Sequence, residues 1–261
     1  MPRAGTSTPA LLRTIDRSEQ RRMLGLHPPL PFVGEDVWNC YELSWLREGG
    51  LPAVGALRIR VPCATPATVE SKSLKEYLNA FSQALFPKEA DILAAIRADL
   101  SALFGACADV SMLALSGPNL PDTTPAGQSL DNEKVEIGTY DRDAGLLGDA
   151  CGDRLVERSV HTDLFASLCP VTGWPDWASV LISYRGPEID RRQLLRYLVS
   201  YRRHRAFHET VIEQIFVDLM ARCGCERLTV YGRFLRRGGI DINPFRSTHR
   251  SGPPEIRLAR Q

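Results

Sequence analysis

The chain has 261 residues, 44% of them apolar and 24% charged, and a formal net charge of +1. These values are typical of a water-soluble globular protein with one large or two small domains, and they give no reason to expect a nucleic-acid or membrane partner. The charge is unevenly distributed, since residues 185–261 contain sixteen arginines, no lysine and eight acidic residues. Arginine without lysine favours planar, bidentate binding of carboxylates or phosphates.

Seven cysteines are scattered along the chain: Cys40, Cys63, Cys107, Cys151, Cys169, Cys223 and Cys225. The first twenty residues lack the continuous apolar core of a secretory signal, and no segment is apolar over the length of a membrane span. We therefore expect a cytoplasmic protein whose cysteines remain thiols. Cys223 and Cys225 lack the spacing and the second ligand pair of a zinc site, so no metal is expected.

The first half of the chain predicts two strands followed by two helices. Residues 1–35, rich in Pro, Arg and Thr, are expected to be extended or loosely packed. Strands are predicted at 39–46 and 54–62, joined by a turn at Gly49-Gly50. A helix then begins near residue 70, with apolar residues at helical spacing and a predicted capping box formed by Ser73 and Glu76. The second helix extends from Pro87 to about Phe104, and a strand is predicted at 109–116.

Residues 117–155 are rich in Pro, Asp, Gly and Thr and mark a boundary, with a short strand predicted at 135–141. The second half repeats the earlier order, with strands at 159–167 and 177–186, helices at 190–201 and 207–223, and strand character over 227–244. This order predicts an α+β fold of two similar modules with antiparallel sheets. The predicted divisions are an N-terminal extension at 1–35, a first module at 36–155 and a second at 156–261.

The segment "FASLCPVTGWPDWASV" holds a thiol and a carboxylate on a stiff bend. Cys169 is a candidate nucleophile and Asp176 a candidate proton donor or acceptor, with two prolines and a glycine between them. The alternative interpretation is structural: Cys169 as a small buried side chain and Asp176 as a turn or cap residue. A lone Cys-x6-Asp pattern favours the structural interpretation.

Two further segments combine charged and small residues. In "VESKSLKEY", Glu70 precedes a helix that begins with Ser71 and Lys72, which is typical either of a phosphate site or of an ordinary N-cap. His208 and Glu209 open another helix, and they are candidates for proton transfer and ligand binding or for simple capping.

The segment "RRGGIDINPFR" can wrap a phosphate through Arg237 and Gly238, or it can form a plain glycine hairpin. It is not a G-x-G-x-x-G motif in a βαβ unit, so a Rossmann site is not supported.

Four segments in this order and spacing resemble the NADPH-dependent 7-cyano-7-deazaguanine reductases, the nitrile reductases of queuosine biosynthesis: "ESKSLKEYLNAF", "CPVTGWPDWAS", "YRRHRAFHE" and "YGRFLRRGGIDINPFR". The resemblance covers roughly residues 35–248 and is closest to the long, two-module form of the family. It implies a tunnelling fold, in which ferredoxin-like β-β-α-α-β-β modules have antiparallel sheets with helices on one face. It also implies a homodimer and a deazapurine substrate, with no nucleic-acid partner.

The resemblance also implies roles for individual residues. Cys169, Asp176 and His208 match the family's catalytic positions, with Cys169 forming a thioimidate with the nitrile. Substrate-binding positions are Val69, Glu70, Ser71, His208 and Glu209, and NADPH-binding positions are Ser71, Lys72, Arg237 and Gly238. Trp174 stands where a smaller or polar residue is expected.

Three alternatives remain open from the sequence. A thiol-dependent nitrile hydrolase would share the cysteine but needs an activated water. A pterin- or purine-binding enzyme of the same fold would lack reductase activity. A nucleic-acid-binding module could use the arginine-rich second half.

Overall fold

The computed structural model describes residues 3–5, 7–113, 124–148, 150–250 and 252–261. Within these residues the helices are α1 (Arg17–Met23), α2 (Ser71–Asn79), α3 (Glu89–Phe104), α4 (Arg191–Ser200) and α5 (His208–Cys223). The strands are β1 (Arg3–Ala4), β2 (Thr14–Asp16), β3 (Val33–Leu46), β4 (Pro52–Pro62), β5 (Ala67–Val69), β6 (Ala84–Leu85), β7 (Asp109–Leu113), β8 (Gln128–Ser129), β9 (Cys151–Leu168), β10 (Pro175–Ile189), β11 (Arg227–Phe234) and β12 (Ile240–Ser247). None of the helices in the described residues is both long and apolar enough to cross a bilayer.

The chain folds as two compact units, neither of which is continuous in sequence. The first comprises Met1–His27, Asp36–Asn119 and Arg236–Ile242, and the second Pro28–Glu35, Leu120–Leu235 and Asn243–Gln261. The divisions predicted at 1–35, 36–155 and 156–261 follow the order of elements along the chain. They do not coincide with the units, because packing brings segments from distant parts of the sequence into each one.

The prediction of an extended or loosely packed N-terminal segment is wrong for residues 17–23, which form a helix. Strand β2 pairs antiparallel with β5, with Thr14 opposite Val69. Helix α1 begins after Asp16, whose carboxylate accepts a hydrogen bond from the Ser18 amide at 2.7 Å. The buried Arg17 side chain then pairs with the buried Asp36 carboxylate. An arginine can be buried when its charge is paired with a buried carboxylate. The composition of a segment does not predict such a pair.

The first unit confirms both predicted helices and the strands that precede them. Strands β4 and β7 are antiparallel, with Ala56 opposite Leu113, and the part of the strand predicted beyond residue 113 lies outside the described residues. The predicted helix faces are buried at Leu74, Tyr77, Leu78, Phe81, Ile92, Ile96, Leu100 and Phe104. These side chains share one hydrophobic core with Trp38, Leu57, Ile59 and Val110. The spacing of apolar residues at the helical period of 3.6 therefore predicted correctly which side chains of these two helices lie in the core.

The second unit is built on antiparallel pairing of β9, β10 and β11, with β12 continuing beside β11. The predicted helices form as α4 and α5, and Leu194, Leu198, Ile212 and Phe216 are fully buried or nearly so. The short strand predicted at 135–141 is wrong, since those residues form neither strand nor helix. Both units are α+β with antiparallel strand pairing.

Leu100→Ala is expected to destabilise the first unit by about 2–5 kcal/mol, because Leu100 is fully buried on α3 and its truncation leaves a cavity. The matched control is Leu51→Ala, whose side chain is 58% exposed and whose loss is expected to cost less than about 0.5 kcal/mol. Urea denaturation of both variants measures the difference. Equal destabilisation by the two substitutions would contradict the assignment of this core.

Candidate active site

The connection between β9 and β10 holds Cys169 in a tight turn. Leu168 and Pro175 are opposite each other at the end of the pairing. Beyond them, the Cys169 amide donates to the Trp174 carbonyl, and the Gly173 amide donates to the Cys169 carbonyl, both at 2.9 Å. Gly173 has a φ of +73°, a conformation that glycine adopts without strain. The thiol residue is half-buried, so it is held by the turn yet remains accessible.

Asp176 faces the same side of the hairpin as Cys169. It lies in β10 opposite Ser167, and Cys169 follows Ser167 by two residues. Side chains two apart along a strand share a face, and diagonal cross-strand neighbours lie roughly 7–8 Å apart between Cα atoms. Asp176 is 2% exposed. The register therefore puts the buried Asp176 close to the end of the hairpin from which the Cys169 turn begins.

His208, the first residue of α5, completes this group of side chains. Its Nε2 atom lies 3.2 Å from Oδ2 of Asp176. The imidazole also stacks on the Phe234 ring, with ring centroids 3.8 Å apart and planes 7° from parallel. Phe234 is fully buried and pairs with Ala178 across β10 and β11. The ring is thus fixed by an acid at its edge and by an aromatic side chain against its face.

Burial sets the charge of this imidazole. Removal from water lowers the pKa of His208 to about 4, and the nearby Glu209 carboxylate only partly opposes the shift. Desolvation disfavours the cationic form of histidine, so the ring is neutral at pH 7. The 3.2 Å separation of Nε2 and Oδ2 is short enough for a hydrogen bond between the two side chains.

Trp177, which follows Asp176 in β10, does not give that acid an apolar setting. Successive strand residues point to opposite faces, so the Trp177 side chain faces away from Asp176. It is 37% exposed, and the Arg202 guanidinium lies 5.1 Å from the centre of its ring. Trp174 is 71% exposed and contributes its backbone carbonyl to the turn.

Glu70 caps α2 with its own side chain. One carboxylate oxygen accepts from the Lys72 amide and the other from the Ser73 amide, both at 2.8 Å. The capping box predicted for Ser73 and Glu76 is wrong, because the helix begins three residues earlier and the Ser73 hydroxyl donates to the Glu70 carbonyl at 2.7 Å. The amides expected to receive a phosphate are occupied by this carboxylate.

The other predicted binding residues divide between the two units. Val69 is buried and lies next to Glu70, while Ser71 is exposed. The Lys72 side chain is 81% exposed, with its ammonium 3.9 Å from the Glu76 carboxylate. These residues belong to the first unit, as do Arg237 and Gly238. Cys169, Asp176, His208 and the buried Glu209 belong to the second.

Gly238 and Gly239 form a two-residue hairpin turn between Arg237 and Ile240. The Arg237 amide donates to the Ile240 carbonyl at 2.9 Å, and both glycines have positive φ, +57° and +77°. A side chain at Gly238 would meet the Lys75 ammonium at 2.0 Å, and one at Gly239 would meet Glu42 at 2.5 Å. The turn and these two side chains line a cavity of about 310 Å³.

Comparison with known proteins identifies the family. Residues 4–112 match the family model described as "Nitrile reductase, 7-cyano-7-deazaguanine-reductase N-term", and residues 175–253 match "QueF-like protein". The chain is 45% identical over 259 residues to the "NADPH-dependent 7-cyano-7-deazaguanine reductase" of Desulfotalea psychrophila, covering 98% of this chain and 93% of that protein. The chain belongs to the 7-cyano-7-deazaguanine reductase family.

Similar relatives carry the same name. Identity is 46% over 253 residues with the protein of Chromohalobacter salexigens, which covers 96% of this chain and 91% of that one. The identity with the Bordetella avium protein is 46% over 257 residues, which covers 97% of this chain and 93% of that protein. The resemblance deduced from the four sequence segments is therefore confirmed over nearly the whole chain.

Two contacts in this member of the reductase family were not predicted from the sequence. Phe234 stacks on the His208 ring, whereas the alternation of its strand predicts only that its side chain is buried. Arg205 lies against the cysteine turn, where a side chain added at Gly173 would meet its guanidinium at 3.0 Å. The backbone bridge between Leu168 and Arg205 fixes this contact. In the sequence, the only indication of this contact is that Arg205 lies in "RHRAF", just before His208.

The low pKa of His208 predicts a pH-dependent loss of stability. Between pH 6.5 and about 4 the unfolded chain binds a proton that the folded chain does not, so stability is full above pH 6.5 and falls as the pH decreases. The loss from this group has an upper bound of roughly 3 kcal/mol. Urea denaturation of wild type and His208→Gln between pH 7 and 4.5 measures it. The variant is expected to show the shallower decline.

The control is His27→Gln, since His27 is exposed, and it should follow the wild-type pH dependence. Identical slopes for wild type and His208→Gln would contradict the neutral, buried imidazole.

Proposed function

We propose that this protein reduces the nitrile of 7-cyano-7-deazaguanine to the primary amine, 7-aminomethyl-7-deazaguanine, with NADPH. The observation that supports the proposal is the approach of His208 Nε2 to within 3.2 Å of the buried Asp176 carboxylate, on the strand that follows the turn of the half-buried Cys169. Relatives with that enzyme name match over more than nine-tenths of both chains. The queuosine pathway of tRNA modification is the corresponding biological setting, with a cytoplasmic location.

Cys169 begins the proposed reaction as a nucleophile. The Cys169 thiol gives its proton to Asp176, its sulfur attacks the nitrile carbon to form a carbon–sulfur bond, and one electron pair of the triple bond moves to nitrogen. Nitrogen takes a proton from Asp176, which leaves a covalent thioimidate on Cys169. Forming a covalent intermediate divides one difficult step into two easier ones.

The Asp176–His208 hydrogen bond supplies protons at more than one stage. Nitrogen requires further protons as the thioimidate becomes an amine, and breaking the carbon–sulfur bond returns Cys169. A buried acid in contact with a neutral imidazole suits this role, because the pair exchanges a proton over 3.2 Å. The Phe234 stack keeps the imidazole from rotating away from the acid.

NADPH, when bound, would supply one hydride per molecule, so two NADPH molecules are consumed for each nitrile converted into the amine. Ser71, Lys72, Arg237 and Gly238 would hold it. The chain fits such a group near Gly238, because the absent side chain leaves space for the Lys75 ammonium beside a 310 Å³ cavity. Glycine backbone and a cation together favour phosphate.

Glu70 and Glu209 are each proposed to accept hydrogen bonds from a deazaguanine ring, and Val69, Ser71 and His208 are the other proposed substrate-binding residues. A carboxylate that accepts from the exocyclic amine and the ring N–H distinguishes guanine-like from adenine-like bases. Glu209 is buried, which strengthens such bonds. Because Glu70 caps α2, it would bind the substrate through its remaining lone pairs or release one amide.

The finer architecture also belongs to this proposal. In each half, two long strands (β3 and β4, then β9 and β10) precede two helices (α2 and α3, then α4 and α5), and one or more strands follow, which is the order of the long elements expected for tandem tunnelling-fold modules. Such modules assemble into a ring of sheets, so we propose a homodimer. Sedimentation analysis of the purified chain measures this state directly.

Cys169→Ala is expected to abolish turnover, because no other group then forms the thioimidate. Wild type mixed with the nitrile, without NADPH, should gain the mass of one substrate molecule, and the variant should gain none while still binding the nitrile. Cys107→Ala is the matched control, since Cys107 is exposed in the first unit and should leave the adduct unchanged. Absence of the adduct in wild type would contradict the nucleophile, and amide or acid product without NADPH would identify a hydrolase.

Arg237→Ala is expected to raise the KM for NADPH by roughly 10- to 100-fold, the value of one charge-assisted hydrogen bond. The KM for the nitrile should change little. Steady-state oxidation of NADPH measures both, and Arg47→Ala in the first unit, at an exposed position, is the control. An unchanged KM for NADPH would remove Arg237 from the cofactor site.

A further inference from the structure

Ser167 is a buried residue beside the proposed catalytic acid, and none of the roles described so far includes it. It lies in β9 directly opposite Asp176 in β10, two residues before Cys169. Opposite residues of an antiparallel pair project to the same face, with their Cβ atoms roughly 4.5–5.5 Å apart. The Ser167 side chain therefore lies on the same face of the hairpin as the acid that contacts His208.

The Ser167 hydroxyl is enclosed by the protein but forms no hydrogen bond with it. The residue is 0% exposed, and its Oγ atom has no hydrogen-bonding partner among the residues that the structure describes. A buried polar group without a partner lowers the stability of a fold, and such groups are rare in native proteins. Other buried hydroxyls of this unit do have partners: Thr162 bonds Asp131 at 2.5 Å, Ser200 bonds the Tyr197 carbonyl at 2.7 Å, and Ser247 bonds Thr229 at 2.8 Å.

Aromatic side chains form much of the surroundings on this face. Phe165, two residues before Ser167 on the same strand, is fully buried and meets the Phe234 ring edge-on, with centroids 6.3 Å apart. Phe234 in turn stacks on the His208 imidazole. The hydroxyl thus lies between apolar rings and a buried acid, and a hydrogen bond that forms in such a place is stronger than one in water.

We propose that Ser167 is a further catalytic residue, in a role that rests on the proposed function: its hydroxyl donates a hydrogen bond to the nitrile nitrogen while the Cys169 sulfur adds to the nitrile carbon. As the carbon–sulfur bond forms, one electron pair of the triple bond moves to nitrogen. The nitrogen then becomes a strong acceptor, and a donor placed beside it stabilises the developing charge. Asp176 still supplies the proton, so the O–H bond of Ser167 does not break.

The position of the acid explains why the nitrogen meets this hydroxyl. A nitrogen that takes a proton from Asp176 lies about 3 Å from its carboxyl group. Ser167 faces the same carboxyl group across the strand pair, so the nitrogen comes within reach of both side chains. Since no group of the described residues holds the hydroxyl beforehand, its bond strengthens as charge develops on the substrate. Such a bond raises the rate more than the affinity.

Ser167→Ala in the full chain tests the proposal. Its rate of thioimidate formation, followed by intact mass with the nitrile and no NADPH, should fall roughly 100-fold. The Kd of the nitrile, measured in the Cys169→Ala background, should change by no more than about threefold. Ser167→Thr, which keeps a hydroxyl, should recover most of the rate. The control is Ser183→Ala, which removes an exposed hydroxyl from β10 and should keep the wild-type rate.

Urea denaturation of the substrate-free protein measures separately whether the hydroxyl stabilises the fold. Because it has no partner there, Ser167→Ala should have a midpoint equal to or higher than that of wild type. A lower midpoint would overturn the proposal, and so would an equal loss of rate and affinity. If wild type forms no adduct, the proposed nucleophile fails together with this role. If wild type forms the adduct and Ser167→Ala forms it equally fast, Ser167 alone is refuted.

Discussion

The antiparallel pairing of β9 with β10 is the constraint on which the proposed chemistry depends. The register that sets Ser167 opposite Asp176 also sets the side on which Cys169 emerges from the turn. A slip of one residue would turn the acid to the other face of the hairpin and separate it from His208. The long strands, and not the short turn, therefore hold the thiol and the acid in relation to each other.

The proposed site combines a rigid support with two side chains that are proposed to transfer protons. Asp176 and His208 come from different elements, β10 and α5, and meet in a region with little exposure to water. Phe234 contributes from a third element, β11, by stacking on the imidazole. Three elements that converge on one ring leave it little freedom, which is the preorganisation that proton transfer requires.

Sequence periodicity predicted the helices and the central strands well, because α2, α3, α4 and α5 each bury an apolar stripe. It failed where a local contact decides the outcome. Glu70 displaced the predicted capping box by reaching the amides itself, and residues 17–23 became ordered through the buried Arg17–Asp36 pair. Residues 135–141 alternate like a strand but form none. The proposed catalytic residues come from the four family segments, whereas the Phe234 stack depends on a register that the sequence does not display.

The hairpin turn at Gly238 and Gly239 has a consequence for how the protein folds during its synthesis. Asp241, on the strand that follows this turn, lies near the C-terminal end of the sequence but belongs to the first unit. Its carboxylate accepts hydrogen bonds from the Asn39 side-chain amide and the Tyr41 hydroxyl, both at 2.8 Å. A ribosome therefore makes about two hundred residues after Asn39 before that side chain gains its partner. Until Asp241 has been translated, the segment that holds Asn39 and Tyr41 lacks this hydrogen-bonding partner. The first unit is therefore incompletely folded, and open to chaperones, while the second unit is being translated.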